Sequence, residues 1–135
     1  MTVRHERLSV ETREREMTLD ITARVRAAVA RSKVRDGICV VSVAHTTAAV
    51  FVNENADPDV QRDLLFLLSK LVPADDEFRH AEGNSPAHIK SVLVGNDVTL
   101  SVRDGELTLG TWQGVYLAEF DGPRDRSATV TVIGN

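Results

Sequence analysis

Three of the four histidines stand beside polar runs. His45 opens His45-Thr46-Thr47, His80 opens His80-Ala81-Glu82-Gly83-Asn84, and His88 follows shortly after. Imidazole is a frequent metal ligand and also the side chain best matched to proton transfer near neutral pH. Glu82 or Asp57 could complete the shell of a divalent ion such as zinc or magnesium, or serve as an acid or base. His45, His80 and His88 are therefore the candidate metal ligands, and His45, His80, Glu82 and Asp57 the candidate catalytic groups. Their spacing matches no zinc signature, because H-E-x-x-H is absent. His80-x-Glu82 resembles the start of a nucleobase-deaminase motif but lacks the P-C-x-x-C that must follow. Each histidine alone could equally be a hydrogen-bonded structural residue. His5, set among Arg4 and Arg7, reads as a surface residue.

A second polar run is Asn53-Glu54-Asn55-Ala56-Asp57. Its alternating oxygens imitate the first half of a calcium loop, but Pro58 replaces the required glycine and Leu64 the closing glutamate. An EF-hand is excluded. In an extended segment Asn53, Asn55 and Asp57 would share one face; alternatively the asparagines serve turns and Asp57 caps a helix. Glu82-Gly83-Asn84 precedes a helix start, where free N–H groups favour anions. Arg124, in a Gly-Pro turn near Asp121, offers a fork of donors for phosphate. Trp112, beside Gln113, either anchors the core or stacks on a flat ligand. With Thr47, these residues (Asn53, Asn55, Asn84, Trp112, Gln113, Asp121 and Arg124) form the candidate substrate-binding set.

The elements that must position these groups can be read from periodicity. Residues 5–12 suit a strand, and Ile21, Val25, Ala28 and Val29 fall at helical spacing over 21–33. Residues 38–44 are a β-branched strand containing Cys39, the single cysteine, which reads as a small core residue. After the His45 turn, 48–53 return as a strand. Asp57-Pro58 and Ser85-Pro86 each pair a capping residue with proline at the first helical position. They predict helices running to Pro73 and to Gly95, separated by an acidic loop over 73–83. The rest alternates as strands 97–102, 106–109, 114–120 and 127–133, with turns at Asp104-Gly105 and Gly122-Pro123. This order predicts an α+β fold, a sandwich of mainly antiparallel sheets with about three helices, in one domain over 1–135.

Composition bounds the function. The chain has 135 residues, 42% hydrophobic and 27% charged, with formal net charge −4. That is ordinary globular composition, and the charge gives no field to attract nucleic acid. No apolar h-region or membrane-length run is visible, so the expected location is the cytoplasm, with no membrane partner.

Taken together, His45-Thr46-Thr47-Ala48-Ala49, Asn53 through Val60, His80 through Asn84 with His88-Ile89-Lys90, and Leu109 through Gly114 with Glu119 through Arg124 resemble the YjbQ-like family. Its members are described as secondary thiamine-phosphate synthases. Thr47 stands where serine would serve as well, since either keeps the hydroxyl. The resemblance covers nearly the whole chain and implies a homotrimer binding a small phosphorylated metabolite. It also implies a transferase activity, in which hydroxymethylpyrimidine diphosphate and thiazole phosphate are joined and pyrophosphate is released. Two other readings fit the same residues: a non-catalytic trimeric module for a metal or phosphometabolite, and a metal-assisted hydrolase of a phosphorylated metabolite.

Overall fold

Alternation of buried and half-exposed residues organises one of the two longest strands: Arg126, Ala128, Val130 and Val132 face inward. The computed structural model describes residues 1–74 and 77–135. Its elements are β1 (Thr2–Glu11), β2 (Met17–Asp20), α1 (Thr22–Ser32), β3 (Gly37–Ser42), β4 (Ala48–Glu54), α2 (Pro58–Leu71), α3 (Ser85–Val94), β5 (Asp97–Arg103), β6 (Glu106–Leu107), β7 (Gln113–Glu119) and β8 (Asp125–Gly134). They form an α+β fold with two antiparallel sheets, in the orders β1-β8-β3-β5-β6 and β2-β7-β4.

The sheets enclose the main core. Val41, Val130 and Val132 of one sheet and Val50, Val115 and Leu117 of the other belong to it, joined by Val25, Ala28 and Val29 of α1. Helix α1 begins where Asp20 Oδ1 accepts from the N–H of Thr22 at 2.9 Å, and Arg31 supplies a cation to its last turn. Cys39 is fully buried here, and burial pushes its thiol up to about 11. The opposite face of the three-stranded sheet forms a smaller cluster, in which Ala49, Ala118 and Phe120 meet Leu68 of α2 and Ala87 of α3. On that face Phe51 stacks on Tyr116 with ring centroids 5.3 Å apart.

Asp57 caps α2 as the sequence suggests, its Oδ1 accepting from Asp59 N–H at 2.9 Å with Pro58 at the first position. Leu68 is the one residue of α2 that is buried, and Phe66, Leu67 and Leu71 remain exposed. Among the described residues no helix is long and apolar enough to cross a membrane.

Four strands differ from expectation. β2 was not expected, because four residues between charged runs give too little alternation; its pairing with β7, from Met17↔Glu119 to Asp20↔Tyr116, forms it. β1 and β8 are longer than predicted because they pair along their whole length, Thr2↔Gly134 to Glu11↔Asp125. β6 is only two residues long. Within the acidic loop expected over 73–83, Asp75 and Asp76 lie outside the described residues.

The core makes a direct prediction. Leu117 is fully buried between the sheets, so Leu117→Ala should lower the unfolding free energy by about 2–5 kcal/mol in urea titrations.

Candidate functional site

The site is built around a carboxylate on the inward face of a sheet. On β7 the residues Val115, Leu117 and Glu119 point toward the core, and Glu119 is 0% exposed. Arg126 on β8 meets it with a fork: Nε donates to Oε1 at 2.8 Å and Nη2 to Oε2 at 2.5 Å. The Thr12 hydroxyl donates to Oε1 at 2.8 Å, and the Asp121 N–H to Oε2 at 3.0 Å. Both oxygens therefore have two donors. Burial alone would raise the Glu119 pKa, but the Arg126 guanidinium, the Asp121 N–H and the Thr12 hydroxyl hold it below the ordinary 4.5. Arg126 Nη2 also reaches Thr47, donating to Oγ1 at 2.8 Å and to the carbonyl at 3.2 Å.

The turn after β7 is tied to this network. Thr12 Oγ1 accepts from Arg124 N–H at 2.8 Å, and Thr12 N–H donates to the Arg124 carbonyl at 2.9 Å. Gly122 is needed because a Cβ there would lie 2.2 Å from the Glu14 carbonyl oxygen and 2.9 Å from Glu119 Cγ. Arg124 is held on Asp121, through Nη2 to Oδ2 at 3.0 Å and Nε to the carbonyl at 2.8 Å. Asp121 Oδ2 also accepts from Asn84 Nδ2 at 2.8 Å. Burial would raise Asp121, yet Asn84 and Arg124 hold it below its ordinary value. The same contact fixes the Asn84 amide, whose Oδ1 is buried with no partner among the described residues.

Three segments bring the histidines to this place. His45 lies between β3 and β4, and its Nε2 accepts from Ser127 N–H at 3.0 Å. That bond leaves Nδ1 to carry the proton. Burial and then the nearby Arg126 charge hold the His45 pKa down, so the ring is neutral. His80 enters a turn closed by Gly83, whose φ of 74° suits glycine. His88 stands in the first turn of α3, and the two rings meet edge to face with centroids 5.1 Å apart. A pocket of about 370 Å³ is lined by His45, His80 and His88 together with Thr47, Glu82 and Asn84. Arg124 and Arg126 complete its wall. A neighbouring pocket of about 390 Å³ shares His45 and His88.

Not every sequence candidate is there. Asn53, Asn55, Asp57, Trp112 and Gln113 lie at the other end of the same strand pair. The register runs from Ala48↔Glu119 to Glu54↔Gln113, so the two ends are about 20 Å apart at roughly 3.3 Å per residue. At that end Asn55 Nδ2 donates to Asp20 Oδ2 at 3.3 Å, Gln113 Oε1 accepts from Gly110 N–H at 2.8 Å, and Trp112 is 63% exposed. Asn53 Oδ1 accepts from Glu54 N–H at 2.7 Å, and Asp57 serves its cap. Within one chain these five residues do not reach the histidines.

The donor set does not fit a cage of three histidines for zinc or magnesium. His45 has Nε2 engaged by Ser127. Among the described residues, no three His, Cys, Asp or Glu side chains gather closely enough to hold an ion. What the pocket does offer is hydrogen-bond donors and cations beside two imidazoles, an arrangement suited to an oxyanion and to proton transfer. Arg126 and Thr12 were not among the sequence candidates, and Glu119 was seen only as part of a motif. A signal was available for the two charges: Glu119 closes the apolar run Val115-Tyr116-Leu117-Ala118, and Arg126 falls in step with Ala128, Val130 and Val132, which alternate with polar residues.

Two predictions follow from this network. Arg126→Met should cost about 3–5 kcal/mol in urea titrations by stranding Glu119, and Arg126→Met with Glu119→Leu should regain most of it. The second concerns acid. His45 has a depressed folded pKa, so the stability it contributes is present above its ordinary 6.5 and is lost as pH falls from there through the folded value. Glu119 and Asp121, also depressed, add a further loss below their ordinary 4.5 and 3.8. Melting temperature followed downward from pH 7.5 should show both steps, and His45→Gln should remove the first.

Known proteins resemble this chain along its length. The family model described as UPF0047 protein YjbQ-like matches residues 6–135. A UPF0047 protein of Methanocaldococcus jannaschii is 52% identical over 126 residues, covering 93% of this chain and 91% of that protein. The UPF0047 protein YugU of Bacillus subtilis is 42% identical, covering 94% and 97%. Among solved structures, a protein of unknown function from Sulfolobus solfataricus, described as YbjQ-like, superimposes with a TM-score of 0.95 at 33% identity, covering 98% of each chain. An uncharacterised yjbq/upf0047 protein from Clostridium acetobutylicum gives 0.93 at 48% identity, covering 95% of this chain and 99% of that one.

Proposed function

Since the chain belongs to the UPF0047 family of YjbQ-like proteins, we propose that its histidine pocket is the seat of a group transfer between phosphorylated metabolites. The reaction is the one the family resemblance implies, joining hydroxymethylpyrimidine diphosphate to thiazole phosphate. The observation that carries this reading is the lining of one polar pocket by His45, His80 and His88 with Arg124 and Arg126.

In that reaction the thiazole nitrogen attacks the methylene carbon of the pyrimidine. A C–N bond forms, the C–O bond to the diphosphate breaks, and pyrophosphate leaves with the electron pair. No proton has to leave the thiazole nitrogen, so the demand falls on the leaving group. Arg124 and Arg126 meet its charge, and fixed cations and donors of this kind stabilise charge that develops in a transition state. His80 or His88 supplies a proton to the departing pyrophosphate, a role worth about 10²–10⁴ in rate. Glu82, exposed on the same loop as His80, lines the same pocket.

The same reading includes a homotrimer. Phe66 and Leu67 of α2 and Val92 and Leu93 of α3 are exposed apolar residues, which supports burial against further copies. Light scattering should give about three times the mass of one chain.

Purified wild type, His80→Ala and His88→Ala should be compared for thiamine-phosphate formation and for melting temperature on the same preparations. The expected outcome is a loss of at least about 100-fold in each variant with melting temperatures close to that of wild type. Equal turnover in all three would assign the activity to a contaminant and overturn the reading.

A further inference from the structure

Several donors of the pocket have no acceptor among the described residues. The fork on Glu119 uses Nε and Nη2 of Arg126. Nη1 is left without a partner among the described residues, although the side chain is only 6% exposed and lines the pocket. Thr47 Oγ1 accepts from Arg126 Nη2 at 2.8 Å. A hydroxyl that accepts from a guanidinium must turn its own proton elsewhere, and no described group receives it. Thr47 is itself buried and lines the same pocket. His45 repeats the pattern: Nε2 is occupied by Ser127 N–H, so Nδ1 carries the proton, and it has no acceptor among the described residues.

We propose that Arg126, Thr47 and His45 form a preset seat for the phosphoryl oxygens of the ligand, with Glu119 as the positioning residue beneath it. The inference rests on reading this pocket as a site for phosphorylated metabolites, and it names the residues that hold the phosphate. Two N–H groups of Nη1, one O–H and one N–H thus belong to three different side chains of one pocket wall. That spread suits the tetrahedral oxygens of phosphate or pyrophosphate better than the two coplanar oxygens of a carboxylate. Glu119 has two functions here. It neutralises the buried guanidinium while the seat is empty, and it fixes the plane of the fork so that Nη1 keeps its direction. Arginine is required, because a lysine ammonium could satisfy Glu119 or the ligand but could not hold both in one plane.

The test is calorimetric titration of the whole protein with inorganic pyrophosphate, for wild type, Thr47→Ser, Thr47→Val and Arg126→Lys. Arg126→Lys keeps a cation against Glu119, and melting curves establish that each variant is folded. Wild type and Thr47→Ser should bind alike, while Thr47→Val and Arg126→Lys should each bind at least about tenfold more weakly, the usual loss for one hydrogen bond to a charged group. Unchanged affinity in folded Thr47→Val and Arg126→Lys would overturn the seat, as would absence of pyrophosphate binding by wild type. Measuring thiamine-phosphate formation alongside separates the two proposals. Binding with the expected pattern but without turnover leaves the seat standing and removes the transferase reading. Turnover with a KM that neither substitution changes does the reverse.

Discussion

An ionised carboxylate cannot stay in a protein interior alone, because the cost of taking it from water exceeds what a domain of this size can spare. Glu119 is such a group, and its fork with Arg126 joins the two sheets at the end where the pocket opens. Much else depends on that join. The turn carrying Asp121 and Arg124 is held through Thr12, which also serves Glu119. The segment carrying His45 and Thr47 is held by Ser127 and Arg126, neighbours on β8. A replacement of the pair by well-packed apolar residues could preserve stability, but it would release the directions of every donor around the pocket.

The electrostatics of the pocket are accordingly those of fixed dipoles and paired ions rather than of a bare positive cavity. Arg126 is matched by Glu119, Arg124 by Asp121, and His45 is neutral. A site arranged this way selects ligands by the geometry of their oxygens more than by long-range attraction, in keeping with a chain of net charge −4. His80 and His88 stand apart from this paired framework, one on a loop and one in the first turn of α3.

Much of this arrangement was legible in the residues. Asp57-Pro58 and Ser85-Pro86 marked both helix starts, and Asp104-Gly105 marked the hairpin turn, because capping and turn chemistry act locally. The grouping of His45, His80 and His88 followed from their places at the ends of elements. The separation of Asn53, Asn55, Asp57, Trp112 and Gln113 from them was not legible. It depends on the antiparallel register of β4 and β7, a long-range property that places the two ends of one strand pair apart. Arg126 was overlooked because an arginine in a turn-proximal strand looks solvated unless its partner, seven positions earlier, is also placed on the inward face.

Cys39 carries a practical consequence. A thiol pushed to about 11 and sealed in the core is ionised in only about one molecule in ten thousand at neutral pH, and the thiolate is the form that alkylating agents and peroxides attack. The native chain therefore behaves toward such reagents as though it had no cysteine. A single cysteine introduced beside the pocket would be modified alone, so a fluorophore or spin label could report on ligand entry without first removing the natural thiol.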